Sequence, residues 1–192
     1  MSLSARRALS RLLALAPLAG GLTCSHAEPD PLDPDVVEDI AKEQGDAEGS
    51  DRSGAFTLKV ADTPTCDCPA TSEIALCSVD LTTLTNIGVV AHLTQNDGAL
   101  VLAAEGPESG VDFVGDLTLS GPLDSSGDFD LGGIYDLGSL ISAGNLYIRL
   151  TGRFTGADRF EATLSDRARG SYGDQSIDCR TEAQVVGTRV AP

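Results

Sequence analysis

Five cysteines carry the most reactive side chains of this chain: Cys24, Cys66, Cys68, Cys77 and Cys179. Cys24 ends a segment typical of an export signal, so maturation either lipidates it or removes it. Export places the other four cysteines in an oxidising compartment, where two disulfides are expected. Direct pairing of Cys66 with Cys68 would strain so short a loop. The sequence therefore predicts Cys66–Cys77 with Cys68–Cys179, or Cys66–Cys179 with Cys68–Cys77.

The other residues that could do chemistry do not form a catalytic or metal-binding pattern. The spacing of the four cysteines matches no common zinc module. His92, the histidine that remains after cleavage behind Ala27, is not accompanied by a Gly-x-Ser-x-Gly motif. Asp124, Asp128 and Asp130 could hold calcium, but Asp-rich turns beside Gly and Ser are common without metal. We therefore predict no catalytic residue, no metal and no cofactor.

Residues 1–23 have the pattern of a bacterial export signal. Three arginines give a positive n-region, and the apolar run 12–19 is too short to span a bilayer. If Leu22-Thr23-Cys24 acts as a lipobox, its cysteine is lipidated, and we expect an outer-membrane lipoprotein that faces the periplasm or the cell surface. If an ordinary signal peptidase reads Ser25-His26-Ala27, cleavage removes residues 1–27 and gives a soluble secreted or periplasmic protein.

The segment after the signal, residues 24–52, is acidic and poor in apolar residues. From residue 28 it has ten acidic side chains against Lys42 and Arg52, and its early prolines favour an extended backbone. Such a composition does not bury enough apolar surface to offset the entropy of ordering. We expect a disordered tether that lifts the next domain off a membrane, with a short helix at 36–42 as an alternative.

Charge excludes several partners of the mature chain. Loss of the three signal arginines leaves ten basic residues against twenty-nine acidic ones, a formal net charge of −19. Nucleic acid and anionic lipid headgroups are poor partners for such a surface. Arginines concentrate in the last third of the chain, and docking of the acidic tether on them is an alternative to disorder. They are Arg149, Arg153, Arg159, Arg167, Arg169, Arg180 and Arg189.

Residues 53–192 are predicted to form one all-β domain. Apolar and polar side chains alternate with period two, as in half-buried strands, and all five phenylalanines fall on the apolar side. Asn96-Asp97-Gly98 predicts a hairpin turn, and further turns are predicted at 121–122, 124–127 and 156–158. Short links favour an antiparallel up-and-down barrel of about eight strands, closed or partly open, because closure removes exposed edges. A two-sheet β-sandwich is the alternative.

Several turn-and-strand motifs of this domain share a recognisable order. They are the run 89–98 with its Gln- and Gly-containing hairpin, the Gly-x-Phe-x-Gly hairpin at 152–160, Cys179 and the closing residues 186–189. In the order of these motifs along the chain, the protein resembles small lipocalin-like lipoproteins of Gram-negative bacteria. The resemblance covers residues 80–190. It implies a meander barrel and assigns no catalytic residue.

Two functions of different classes are compatible with these features. The first is a non-enzymatic exported envelope lipoprotein, held at the outer membrane through Cys24, that is a binding or scaffold module for a small apolar ligand or an envelope protein. The second is a secreted hydrolase of unknown substrate that uses His92 or a pair of carboxylates. We favour the first because the sequence contains no catalytic constellation. A hollow barrel would indicate a carrier, and a packed barrel would indicate a scaffold or interaction module.

Overall fold

The structure is a computed structural model that describes residues 29–68, 90–104, 117–137, 143–172 and 174–191. Within these ranges it has one helix, α1 (Pro34–Ile40), and nine strands. The strands are β1 (Gly54–Val60), β2 (Thr65–Asp67), β3 (Val90–Asn96), β4 (Ala99–Ala104), β5 (Leu117–Pro122), β6 (Asp128–Asp136), β7 (Ala143–Phe154), β8 (Arg159–Tyr172) and β9 (Gln175–Arg189).

The strands form one antiparallel sheet that closes on itself. β3 to β9 pair in chain order, β1 pairs with β3, and β1 also pairs with β9, where Phe56 lies opposite Arg189. β1 and β3–β9 are therefore a closed eight-stranded up-and-down barrel, which confirms the all-β prediction and excludes the two-sheet sandwich. The short β2 pairs with β9 beyond the end of β1, with Cys66 opposite Thr181.

Three short hairpins lie at one end of the barrel, which we call the turn end, and the short link between β8 and β9 lies at the opposite end. β3 turns into β4 at Asp97 and Gly98, and the φ of 50° at Asp97 confirms the predicted Asn-Asp-Gly hairpin. Gly127, with a φ of 88°, lies in the turn between β5 and β6. Residues 155–158 join β7 to β8. All three turns meet at this end because each connects an upward strand to its downward neighbour.

Side chains fill the described part of the barrel interior. A cluster of four aromatic rings lies near the turn end, with ring centroids 5.5–6.3 Å apart. Buried leucines and alanines continue the same core as far as Leu137 near the opposite end. The interior is therefore packed by one continuous apolar cluster. The four rings are those of Phe56, Phe129, Phe154 and Phe160, and Phe113 lies outside the described residues.

The acidic segment before β1 is folded, so the prediction of a disordered tether over 24–52 is wrong for its described residues. We call residues 29–53 the strap. The strap begins on the outer face of β8 and β9, crosses β7, β6 and β5 through α1, and then passes under the turn end into β1. Its ordering entropy is offset by contacts with strands far along the chain, which composition alone does not reveal.

The helix α1 follows the alternative prediction of a short helix at 36–42. Val37 is fully buried, and it packs with Leu32 of the strap against Tyr147 of β7. Gly132 of β6 lies directly beneath the helix, where a Cβ would come within 2.5 Å of the Val37 carbonyl oxygen. The absence of a side chain at this outward position therefore lets the helix backbone approach the barrel wall.

Beyond α1 the strap closes the turn end. The Gly45 N–H donates to the Gly98 carbonyl oxygen at 2.9 Å, and the Ala47 N–H donates to the Leu123 carbonyl oxygen at 3.2 Å. A Cβ on Gly98 would lie 2.0 Å from the Gly45 carbonyl oxygen. The strap backbone is therefore hydrogen-bonded directly to two hairpins, and Ala47 becomes part of the barrel core.

Candidate functional site

The structure joins Cys68, just after β2, to Cys179 of β9. The S–S distance is 2.05 Å, and Cys179 points into the core with 3% of its surface exposed. This bond belongs to the first of the two predicted pairings and excludes the second. Cys66 is also disulfide-bonded. Cys24 and Cys77 lie outside the described residues.

His92, on which a triad would depend, lies on the outer surface of β3. It is exposed between the inward-facing Ala91 and Leu93, both of which are buried. The alternation of β3 places it on the solvent side, away from the barrel interior. Its position is that of a solvated surface histidine, as the polar register of this strand predicts.

Asp124 and Asp128, two of the aspartates considered for calcium, organise the turn between β5 and β6. The Asp124 carboxylate accepts hydrogen bonds from the backbone N–H groups of Ser126 at 2.9 Å and of Asp128 at 3.0 Å. The hydrogen bond from Arg153 lowers the pKa of Asp128 to about 2, helped by the Ser126 hydroxyl. These carboxylates already have partners within the fold.

A groove of about 520 Å³ runs over the outer face of β6 to β9. Asp130 at its edge accepts two hydrogen bonds from Arg149, at 2.8 and 2.6 Å, and Glu161 pairs with Arg159 at 2.9 Å. The described lining contains no His, Cys or Ser side chain. Nowhere in the described ranges do three or more His, Cys, Asp or Glu side chains come together in a way that could hold a metal ion. The groove is therefore lined by arginine–carboxylate pairs and by the Thr151 hydroxyl, which donates a hydrogen bond to Asp130 at 3.2 Å.

The arginines of the late strands bind the start of the strap. Arg167 of β8 donates two hydrogen bonds to Asp178, at 2.6 and 2.7 Å, and a third through Nη1 to Asp30 at 2.9 Å. Arg180 of β9 donates to both oxygens of the same Asp30 carboxylate. One acidic residue of the strap thus bridges two neighbouring strands. The predicted alternative, in which the acidic segment docks on these arginines, is confirmed.

The environment of Asp30 keeps it ionised. Burial raises its pKa, but the hydrogen bonds from Arg180 and from the Leu32 N–H, together with the two guanidinium charges, outweigh burial and hold the pKa below 3.8. The hydrogen bond from Arg167 likewise lowers the pKa of Asp178. Because both carboxylates stay charged well below neutral pH, this network acts as an anchor rather than as an acid–base pair.

Gln95, which we did not single out in the sequence as a site residue, holds the strap at the turn end. Only 5% of its surface is exposed. Its amide oxygen accepts the Arg52 N–H at 2.9 Å, and its amide nitrogen donates to the carbonyl oxygens of Glu48 at 3.3 Å and Asp97 at 3.1 Å. In the sequence, the sign of this role is that Gln95 follows Leu93 by two residues, so that a polar amide lies on the inward-facing side of β3.

The described residues include no helix that is both long enough and apolar enough to cross a membrane. Comparisons with protein-family models, with curated proteins and with solved structures found no match to this chain. We therefore define the candidate site from the structure alone: it consists of the strap and of the arginines that bind it on the outer face of the barrel.

Proposed function

We propose that this protein is a non-enzymatic exported envelope lipoprotein whose barrel is a scaffold or interaction module. The packed interior carries the proposal. Eight-stranded barrels enclose just enough space for side chains or for one small ligand, and here four aromatic rings and a continuous leucine-rich core occupy that space. An apolar ligand would have to displace them, so the outer surface is the surface left for a partner such as an envelope protein.

Attachment is proposed through a lipid on Cys24, in the outer membrane and facing the periplasm or the cell surface. The disulfide between Cys68 and Cys179 supports an oxidising compartment. The lipocalin-like motifs support a lipoprotein of the meander-barrel type. Cleavage behind Ala27 would instead give a soluble secreted or periplasmic protein, and intact mass spectrometry of the mature N-terminus distinguishes the two.

The hydrolase alternative has less support. His92 lies in solvent on the barrel wall. The groove carboxylates Asp128, Asp130 and Glu161 are each paired with an arginine. The hydrogen bond from Arg153 lowers the pKa of Asp128 to about 2, which makes this carboxylate a poor general acid at neutral pH.

Titration of the mature protein with an environment-sensitive apolar fluorophore tests the scaffold proposal. We expect no saturable binding by the wild type. Phe160→Ala, titrated with benzene in place of the fluorophore, is the positive control for a small cavity, because an engineered apolar cavity stays dry and takes up molecules of that size. Saturable binding of one fluorophore per wild-type chain would show a hollow interior and would overturn the proposal in favour of a carrier.

A further inference from the structure

Part of the outer barrel wall is almost free of charge. The strands β1, β3 and β4 contain one charged side chain, Lys59, and no acidic residue. The whole chain has 29 acidic residues and a formal net charge of −16, and charged side chains make up about 25–35% of an ordinary soluble surface. Depletion of charged residues distinguishes the core of a protein–protein interface from the rest of a surface. This part of the wall therefore has the composition of a contact surface.

The pairing register places the outward side chains of these strands in rows. His92 of β3 is flanked by Ala55 of β1 and Ala103 of β4. The chain after β9 continues this row, because the Val190 N–H donates to the Ala55 carbonyl oxygen at 2.8 Å. A large side chain thus stands between two alanines. We call the following residues the uncharged face: Ala55, Thr57, Val90, His92, Ala103 and Val190.

The strap covers the other side of the barrel. Its helix α1 packs on β5, β6 and β7, and the Ser120 hydroxyl of β5 donates to the Ala41 carbonyl oxygen at 2.9 Å. On the uncharged face, His92 is exposed. Val90 is 41% exposed and Val190 is 40% exposed, and they are two of the three large hydrophobic side chains exposed in the described ranges. The uncharged face is therefore accessible to a partner.

We infer that the uncharged face is the contact surface between two copies of this chain in a symmetric dimer. The inference rests on the proposed interaction module, because it names the partner of that module, and it holds with or without a lipid on Cys24. The two-fold axis runs parallel to the strands, between β1 and β3. With this symmetry each contact occurs twice, with the two residues exchanged between the copies.

Large and small side chains are arranged so that two such faces fit together. The axis places His92 of each copy over Ala55 of the other, since these residues lie opposite each other on β1 and β3. It likewise places Val90 over Thr57. The two strands that flank β1 are about 10 Å apart, so Ala55 leaves a hollow one side chain wide between His92 and Val190. A face that has both the projecting side chain and its hollow is complementary to itself, which favours a second copy as the partner.

Charge and size determine how strongly two copies associate. Acidic surfaces repel each other, whereas the uncharged face brings no carboxylate into contact with its copy. Asp62 and Asp97 lie at its two borders, after β1 and in the β3–β4 turn, and salt screens their repulsion across the dimer. The face extends about 20 Å along and about 20 Å across the strands, so at most about 400 Å² of each copy is covered. We therefore expect a weak, transient dimer that salt strengthens.

Sedimentation velocity of the mature chain that begins at Glu28, and so carries no lipid, tests the dimer. We expect the weight-average sedimentation coefficient to rise with protein concentration and to rise further with salt. His92→Glu brings two carboxylates together near the axis and should lower the association constant at least about tenfold. Ser176→Glu makes the same charge change at an exposed position of β9 and should lower it less than about twofold. Far-UV circular dichroism shows that each variant is folded.

Photo-cross-linking locates the contact and separates the outcomes. A photoreactive amino acid in place of Val90 should cross-link one copy to another, and in place of Ser176 it should not. Monomer at every concentration and salt, or equal weakening by the two Glu variants, would overturn the inference and leave the interaction module standing. Cross-links from position 90 only to a different protein, in cells that export the chain, would overturn the second copy as the partner. Saturable fluorophore binding by a monomeric wild type would overturn the proposed function and the inference together.

Discussion

Neutralising Asp30 should loosen the strap without altering the size of the side chain. In Asp30→Asn the amide can still accept one hydrogen bond, but the charge that bridges Arg167 and Arg180 is lost. Arg167 keeps its two hydrogen bonds to Asp178. The substitution therefore reports on the strap anchor itself, and it leaves no arginine buried without a carboxylate.

The size of the effect follows from the exposure of the partners. The side chain of Arg167 is 9% exposed, that of Asp30 is 24% exposed and that of Arg180 is 43% exposed. Hydrogen bonds to charged groups contribute about 1.5–3 kcal/mol when shielded, and exposed ion pairs contribute about 0–1 kcal/mol. For this mixed geometry we expect a loss of about 1.5 kcal/mol, which lowers Tm by roughly 3–6 °C in a domain of this size.

Urea unfolding at several pH values measures this loss. Because the folded pKa of Asp30 lies below the ordinary 3.8, its contribution to the free energy of unfolding is complete above about pH 4–5 and disappears as the pH falls through the folded pKa. The wild type and Asp30→Asn should therefore differ at pH 7 and converge as the pH falls through the folded pKa of Asp30. Glu182→Gln, which removes an exposed carboxylate from β9, is the matched control and should change stability by less than about 0.5 kcal/mol.

Two results would refute this reasoning about the anchor. The first is an unfolding midpoint in urea at pH 7 that is the same for Asp30→Asn as for Glu182→Gln. The second is a stability difference that grows as the pH is lowered, because a carboxylate with a depressed pKa contributes least in acid.

Three further substitutions probe the rest of the fold. Gly98→Ala places a Cβ 2.0 Å from a strap carbonyl oxygen and should lower the free energy of unfolding in urea by about 1–3 kcal/mol. Gly156→Ala is the control, because its Cβ would meet no atom within 4 Å, and it should change the free energy of unfolding little. Equal losses in the two variants would contradict the close approach of the strap to Gly98. Phe160→Ala should cost about 3–5 kcal/mol, and a loss below 1 kcal/mol would contradict a packed interior. Replacing Cys68 and Cys179 by Ser should cost roughly 3–5 kcal/mol in the chain-entropy model, and an unchanged thermal midpoint would contradict that contribution.

The barrel could be predicted from the sequence because its signals are local. Alternation of period two decides which side chains face inward, and four of the five phenylalanines lie in the core as their register indicated. The signal for the hairpin at Asn96-Asp97-Gly98 is likewise contained in three adjacent residues. The predicted turn at 121–122 is wrong, because Gly121 and Pro122 are the last two residues of β5 and the chain turns after them.

The strap could not be predicted from composition because its partners are remote. Asp30 binds arginines that lie 137 and 150 residues further along the chain. Val37 is buried only because Gly132 leaves room on a strand whose position depends on the whole barrel. A count of apolar residues within the segment does not include either contact. The choice between the two disulfide patterns depended in the same way on the pairing of β2 with β9.

The closure of the barrel also determines when the chain can become native. β1 pairs with β9, and the strap before it binds Arg167 and Arg180. The first residues of the folded part therefore cannot make their native contacts until the last strands are present. A chain that emerges from its N-terminus cannot complete these contacts until nearly the last residue has appeared, and such non-local pairing is slow. Until then the carboxylates of the early segment lie in water, where their mutual repulsion disfavours compaction.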